Sequence, residues 1–318
     1  MSEHGKLIVV GAMKCGTSSL FRLLSAHPEI ETAACKELNF LHPVSFNGED
    51  ASCFERNFSG NSEARYLCEV SPAYTVFPYG KDITDTMVEQ MPEAHVVYLV
   101  RNPFERLESH YWHVIRSGLT RRSYRETVFG NPRYLGTCRY GYYCSLYKER
   151  YGDRFHVMTF DALKADPANA LAPVMEGMGL ENIYGELELP KSNQRAKAMI
   201  SNRFLSRYVR PLLKTRVGGF FKKVLLPLKR AFVGLGLARV SEDAGEKEQI
   251  EEVNREIAPI LNGWLDELEK YVRVPERWRM TVDEVTTSEV KKLQSELGET
   301  FKTPQVFRKQ VIADEDFR

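Results

Sequence analysis

The segment LIVVGAMKCGTSSLFRLL, Leu7 to Leu24, restricts the fold more than any other stretch of the chain. Four apolar residues run straight into a turn holding Gly11 and Gly16, and a helical pattern follows. A continuous apolar run marks a strand buried on both faces, as in a parallel sheet covered by helices. A strand that passes through a glycine turn into a helix presents successive backbone N–H groups and a helix start, the makings of an anion site. Glycines alone also build ordinary tight turns. Here the strand end, both glycines, Lys14 and the hydroxyls of Thr17, Ser18 and Ser19 fall within nine residues, which favours anion binding. Gly11 and Gly16 keep the G-x-x-x-x-G spacing of a nucleoside triphosphate loop. Yet Thr17 stands where that loop needs lysine, and the lysine is Lys14, inside the turn.

The second apolar run, HVVYLV, ends in Arg101-Asn102-Pro103. A magnesium nucleotide site wants a carboxylate at that strand end to help hold the metal. An arginine repels a metal and welcomes another anion. The pair of motifs therefore reads as a site for two separate anionic groups without a metal, one over Lys14 and one near Arg101. A metal-dependent small-molecule kinase is disfavoured by the same two positions.

Beyond these motifs, short apolar runs alternate with helical patterns, the βαβ signature. Strands are expected at 7–10, 66–70, 95–100 and 156–160, and helices at 18–26, 104–115, 140–151 and 167–178. The fold class is α/β: a P-loop-like three-layer α/β/α arrangement with a mostly parallel central sheet and additional C-terminal helices. With 318 residues, 43% of them hydrophobic, the chain can bury a substantial core. The expected organisation is one domain over 1–280, carrying a basic helical insertion or lid at 190–240, and a C-terminal extension at 281–318.

Net charge is only +1, but its distribution is uneven. No acidic residue falls between Leu189 and Ser241, while lysine and arginine recur throughout. The first reading of this segment is core-packing helices with a solvated basic face. A substrate lid comes second, and membrane-surface contact through 203–238 third, because Pro211, Pro227 and Gly218–Gly219 break any long interfacial helix. The sign then reverses, and Ile250, Val253, Ile257, Leu261, Trp264, Leu265 and Leu268 recur at helical spacing. The polar tail after Met280 reads as an extended appendage. Six cysteines without a C-x-x-C pair read as free thiols rather than a metal site. Without a leader-like or membrane-spanning run, the expectation is a soluble cytoplasmic protein with no nucleic-acid partner.

Together these segments resemble the sulfotransferases that use 3′-phosphoadenosine 5′-phosphosulfate (PAPS). The resemblance makes GAMKCGTSSL the loop for the 5′-phosphosulfate, through Lys14, Cys15, Gly16, Thr17, Ser18 and Ser19. VVYLVRNPFERLESHYWH is similar to the family's second motif, with Arg101 and Ser109 on the 3′-phosphate; at 3.6 residues per turn Ser109 lies about two turns into its helix. CKELNFLH resembles the K-E-x-x-F-F segment of the branch that contains heparan sulfate sulfotransferases, which makes Glu37 the base. Lys14 would then offset charge on the bridging oxygen. Lys36, next to Glu37, is either a second cation at the sulfonate or solvated, and alternation along a strand favours solvated.

CEVSPAY is similar to the E-x-S-P-x-Y segment, which puts Glu69, Ser71 and Tyr74 on the substrate side with His42, the runner-up base. RYGYYCSLYKERYGDRFHVMTFDALKADP resembles the segment closing the core domain, and residues 250–278 the family's later helix and tryptophan. The family's G-R-x-H-P cofactor loop is absent; KSNQRAKA stands near its place and offers Arg195. Tyr140 is placed either against adenine or in the core, and His110 and His113 mainly in structural hydrogen bonds. Cys15 departs from the pattern, and a thiol beside a cation and a helix start is expected to be reactive.

The resemblance implies metal-free transfer of a sulfuryl group from PAPS to a hydroxyl of a carbohydrate or natural-product acceptor, releasing 3′,5′-diphosphoadenosine. The alternative of a different class is a non-catalytic adenine-nucleotide or anion-binding protein held at a membrane by its basic segment. Such a module has no use for Glu37.

Overall fold

The computed structural model describes residues 4–41, 54–116, 120, 122–185, 244–282 and 288–302. The basic segment 190–240, with Arg195 and the stretch 203–238, lies outside the described residues, as do His42 and the tail beyond 302.

Five strands, β1 (Gly5–Gly11), β2 (Ile30–Thr32), β3 (Tyr66–Val70), β4 (His95–Val100) and β5 (Phe155–Thr159), form one parallel sheet in the order β2-β3-β1-β4-β5. Leu7, Ile8, Val9 and Val10 of the central strand are fully buried, at roughly 1.5–3 kcal/mol apiece. Alternation along a strand sends their side chains to opposite faces. Ile8 and Val10 join Val96 and Tyr98 under helices α2 (Gly80–Gln90) and α6 (Tyr140–Tyr151), through Ile83, Met87, Tyr143 and Tyr147. Leu7 and Val9 join Val97 and Leu99 under α1 (Thr17–Leu24) and α8 (Pro167–Met178), through Leu20, Leu24, Leu171 and Val174. The three layers follow from that division.

Helix limits follow local chemistry. Asp166 caps α8 by accepting from the Asn169 N–H, Pro167 takes the first turn, and Gly179 closes the helix at φ 63. A third cluster joins α3 (Pro103–Arg116), α4 (Tyr124–Gly130) and α5 (Pro132–Gly136) to the later helices α9 (Ala244–Glu269) and α10 (Ser288–Lys302). The acidic face of α9 meets arginines: Glu256 pairs with Arg125 and Glu267 with Arg139.

Two sequence expectations need correction. The region after Met280 is not an extended appendage throughout, because residues 288–302 form α10, whose Val290, Leu293 and Leu297 are buried against the third cluster. The fifth strand spans Phe155–Thr159, so Phe160 opens the following helix, α7 (Phe160–Ala165), rather than ending the strand.

Candidate active site

In an open parallel sheet, ligands bind outside the carboxyl ends of the strands where the connections diverge. Here that point is β1, flanked by β3 on one side and β4 on the other. The turn after β1 is tied to β4 by Ala12 N–H donating to Leu99 O at 2.7 Å, and closed by Cys15 N–H donating to Ala12 O at 3.1 Å. Lys14 and Gly16 both take positive φ, 69° and 96°. No side chain caps α1 at Gly16; Ser19 N–H donates to Gly16 O at 2.9 Å, and the helix start carries the positive end of the dipole. Thr17 is buried, Ser19 half-buried and Ser18 exposed.

Cys15 faces inward. Its side chain is fully buried, with Sγ 3.7 Å from the Tyr140 hydroxyl. Burial pushes the thiol up to about 12, and the nearby Arg106 charge and the Tyr140 hydrogen bond offset only part of that. The reactive thiol expected from the sequence is therefore absent: local charge and dipole are outweighed by desolvation. Only the backbone of Cys15 belongs to the loop. Tyr140 is itself fully buried under the turn, so it has no open face for adenine and occupies the core position instead.

Arg101 stands at the end of β4. Its Nε donates to Glu105 Oε2 at 2.8 Å, and its guanidinium lies 5.8 Å from the centroid of the Phe160 ring. Ser109, half-buried, follows on α3. The Phe160 ring also packs on Gly16, where an added Cβ would overlap it. Phe160 thus stands between the glycine turn and Arg101. Nothing local in TFDAL marks the Phe160 ring for that place.

The segment carrying Glu37 is a loop rather than a strand. It follows β3 through Ala33 N–H to Cys68 O (3.0 Å) and Glu37 N–H to Val70 O (3.1 Å). Glu37 and Asn39 take φ of 68° and 53°, a region costly for residues with a Cβ unless the surroundings hold them there. What holds them lies beneath. Ser71 Oγ accepts from Asn39 N–H at 3.0 Å and Tyr74 OH accepts from Leu41 N–H at 3.1 Å, while both hydroxyls donate to Glu69 Oε1, at 2.5 and 2.7 Å. Glu69, Ser71 and Tyr74 are fully buried, so their side chains brace the loop and do not line an acceptor surface. Burial raises the Glu69 pKa, and the hydrogen bonds from Ser71 and Tyr74 pull it back in part.

Lys36 is not turned away into solvent. Without strand alternation its ammonium folds back to Glu37 Oε1 at 2.5 Å, leaving the carboxylate 51% exposed. His110 is buried, stacked on Tyr134 at 4.2 Å, and held well below the usual histidine range by burial and by the Arg106 charge. It is a neutral core residue. His113 is exposed on the same helix. Among the described residues no cluster of three or more His, Cys, Asp or Glu side chains is placed to hold a metal ion, and no helix is long and apolar enough to cross a membrane.

The Lys14 turn, Arg101 and the Glu37 loop thus follow the carboxyl ends of three neighbouring strands, β1, β4 and β3. Residues 4–210 match a family model described as a sulfotransferase domain. Among solved structures, the sulfotransferase from Alicyclobacillus acidocaldarius is 19% identical, with a TM-score of 0.59 over 88% of this chain and 100% of that one. The sulfotransferase domain from the curacin biosynthetic pathway is 12% identical, TM-score 0.44, over 94% and 99% of the two chains. The sulfotransferase domain of the Synechococcus PCC 7002 olefin synthase is 15% identical, TM-score 0.42, over 57% and 75%.

Proposed function

The chain belongs to the sulfotransferase family, whose reaction is sulfuryl transfer, and from that premise we propose that its donor is PAPS. The acceptor is a hydroxyl of a carbohydrate or natural product, the base is Glu37, and the reaction runs in the cytoplasm. When bound, PAPS supplies an activated sulfuryl group and 3′,5′-diphosphoadenosine as the leaving group. The residues present fit it: the turn holds Lys14 and Gly16 at positive φ, 69° and 96°, and α1 opens without a side-chain cap, so backbone N–H groups at the helix start are available to an anion.

The N–H groups at the start of α1 and the Thr17, Ser18 and Ser19 hydroxyls hold the 5′ group, and Lys14 offsets charge that grows on its bridging oxygen. Arg101 and Ser109 take the 3′-phosphate; Arg101 exchanges Glu105 for it. Glu37 accepts the proton that the acceptor hydroxyl gives up, and Lys36 orients its carboxylate. General-base assistance of this kind contributes about 10²–10⁴-fold. Positioning the acceptor and balancing charge supply the rest.

The observation that carries this reading is the pairing, at the carboxyl end of neighbouring strands β1 and β4, of the Lys14 glycine turn with an arginine instead of a carboxylate. Calorimetry without metal tests it, comparing 3′,5′-diphosphoadenosine with 5′-AMP on the wild type and on Arg101→Ala. We expect the wild type to prefer the 3′-phosphorylated nucleotide at least tenfold, about 1.4 kcal/mol, and the variant to lose the preference. Equal affinity for both nucleotides would leave only a general anion loop.

A further inference from the structure

Asp161 is the second residue of α7, directly after Phe160, and its carboxylate gathers three groups. Trp278 Nε1–H donates to Oδ2 at 2.7 Å, Arg277 Nη2 lies 2.7 Å from Oδ1, and Lys164 Nζ lies 3.3 Å from Oδ1. Burial by itself would raise the Asp161 pKa, but the indole hydrogen bond and the two cations bring it below the usual value. Trp278 and Arg277 belong to the single turn Glu276–Trp278, far along the chain from α7 and beyond the residues matched by the family model.

The three partners are unequal. Arg277 is 68% exposed and Lys164 50%, and exposed ion pairs of this kind contribute little. The Trp278 side chain is fully buried. A buried indole N–H must find an acceptor, and one paired with a carboxylate forms a charge-assisted, directional bond. The indole therefore fixes Asp161, and Asp161 fixes the first residues of α7. Phe160 is the first of those residues. Its ring packs on Gly16, with the Arg101 guanidinium 5.8 Å and the Lys164 ammonium 4.9 Å from its centroid.

We propose that the Trp278–Asp161 hydrogen bond positions Phe160 as the shared wall between the glycine turn and Arg101. On this view the distant turn at Trp278 is a working part of the nucleotide site, and Asp161 and Trp278 are positioning residues. The inference rests on the nucleotide reading above.

The test is calorimetric titration of the full chain with 3′,5′-diphosphoadenosine, alongside the melting temperature of each nucleotide-free variant. Trp278→Phe keeps an aromatic ring and removes the N–H; Asp161→Ala removes the acceptor; Asp161→Asn keeps an acceptor oxygen without the charge. We expect Trp278→Phe and Asp161→Ala each to weaken binding at least fivefold, and the double variant to be no weaker than the worse single one. Asp161→Asn should recover most of the affinity, and Arg277→Ala should stay within twofold of the wild type.

Wild-type affinity in Trp278→Phe and Asp161→Ala, even with lowered melting temperatures, would reduce the bond to a structural tie and overturn the proposal. Losses that multiply in the double variant, or an Asp161→Asn as weak as Asp161→Ala, would also overturn it. A wild-type chain that fails to bind the nucleotide removes the nucleotide reading itself and this proposal with it.

Discussion

The Phe160 ring lies directly against the Gly16 backbone, so that a Cβ at position 16 would overlap its Cε2 and Cδ2 atoms. Gly16 also takes φ 96°, which an L-residue adopts at a cost of about 1–2 kcal/mol. Gly16→Ala must therefore strain the turn and displace the ring from its place beside Arg101. We expect at least tenfold weaker binding of 3′,5′-diphosphoadenosine by calorimetry, with the far-ultraviolet circular dichroism of the wild type retained. Unchanged affinity would show that the turn does not touch the nucleotide.

Glu37 is paired with Lys36 at the surface of the loop, where it can reach a ligand without supporting the core. Glu37→Gln should lower turnover by about 10²–10⁴-fold, the span of general-base contributions, while nucleotide affinity and melting temperature stay within error. Measured transfer from radiolabelled PAPS decides this. A loss below tenfold would assign the proton to another group, with His42, the runner-up base, the first to examine.

The strands and helices legible in the sequence are those with strong local signals. HVVYLV is a continuous apolar run, and α8 has Asp166-Pro167 at its start and Gly179 at its end. β2 has only three residues, and α2 reads GKDITDTMVEQ, too polar to declare itself. Val290, Leu293 and Leu297 do recur at helical spacing, but their polar surroundings hid them. The lysine turn and Arg101 are likewise visible because each sits at a strand end. The contact of Phe160 with Gly16 and the Trp278–Asp161 bond join residues far apart in sequence, and no local pattern encodes them. Cys15 shows the converse: its neighbours suggest a reactive thiol, and only the fold shows which way the side chain points.

The brace under the Glu37 loop is a buried carboxylate, Glu69, with two hydroxyl donors, Ser71 and Tyr74. Removing one donor leaves a buried group short of a partner, which costs about 1–3 kcal/mol. Tyr74→Phe and Ser71→Ala should each lower the melting temperature and, by loosening residues 37–41, reduce turnover more than nucleotide affinity. Parallel thermal melts, turnover assays and nucleotide titrations test both parts. Equal losses of turnover and nucleotide affinity would point to general unfolding instead of a local brace.

Among the described cysteines, Cys35 is exposed, while Cys15, Cys68, Cys138 and Cys144 are buried. Burial pushes every one of the four buried thiols upward, and the thiolate is the reactive form. Iodoacetamide at neutral pH, followed by peptide mass analysis of the folded protein, should therefore label Cys35 and spare these four until denaturant is added. Rapid labelling of Cys15 in the native protein would contradict the inward orientation.

At the opposite end of the sheet, His95 Nδ1 and His156 Nε2 lie 3.5 Å apart with ring planes 10° from parallel. Tyr66 meets His95 edge-on, and Arg154, Lys148 and Asp153 supply the surrounding charge. Burial lowers both pKa values. The Arg154 charge adds to this at His95, and the His95 and Lys148 charges take His156 down to about 4. Unfolded histidine titrates near 6.5, so between about 6.5 and 4 the unfolded chain binds more protons than the folded one. The linked stability is fully present above about pH 6.5 and is lost as the pH falls toward 4. Buried His110, also held low, adds to the same trend. Urea midpoints should therefore fall steadily from pH 7 to pH 5, and His156→Gln should flatten part of that slope while leaving nucleotide affinity at pH 7 intact, because the pair lies away from the Lys14 turn. A slope identical in the variant would place the acid sensitivity elsewhere, with His110 the next residue to replace.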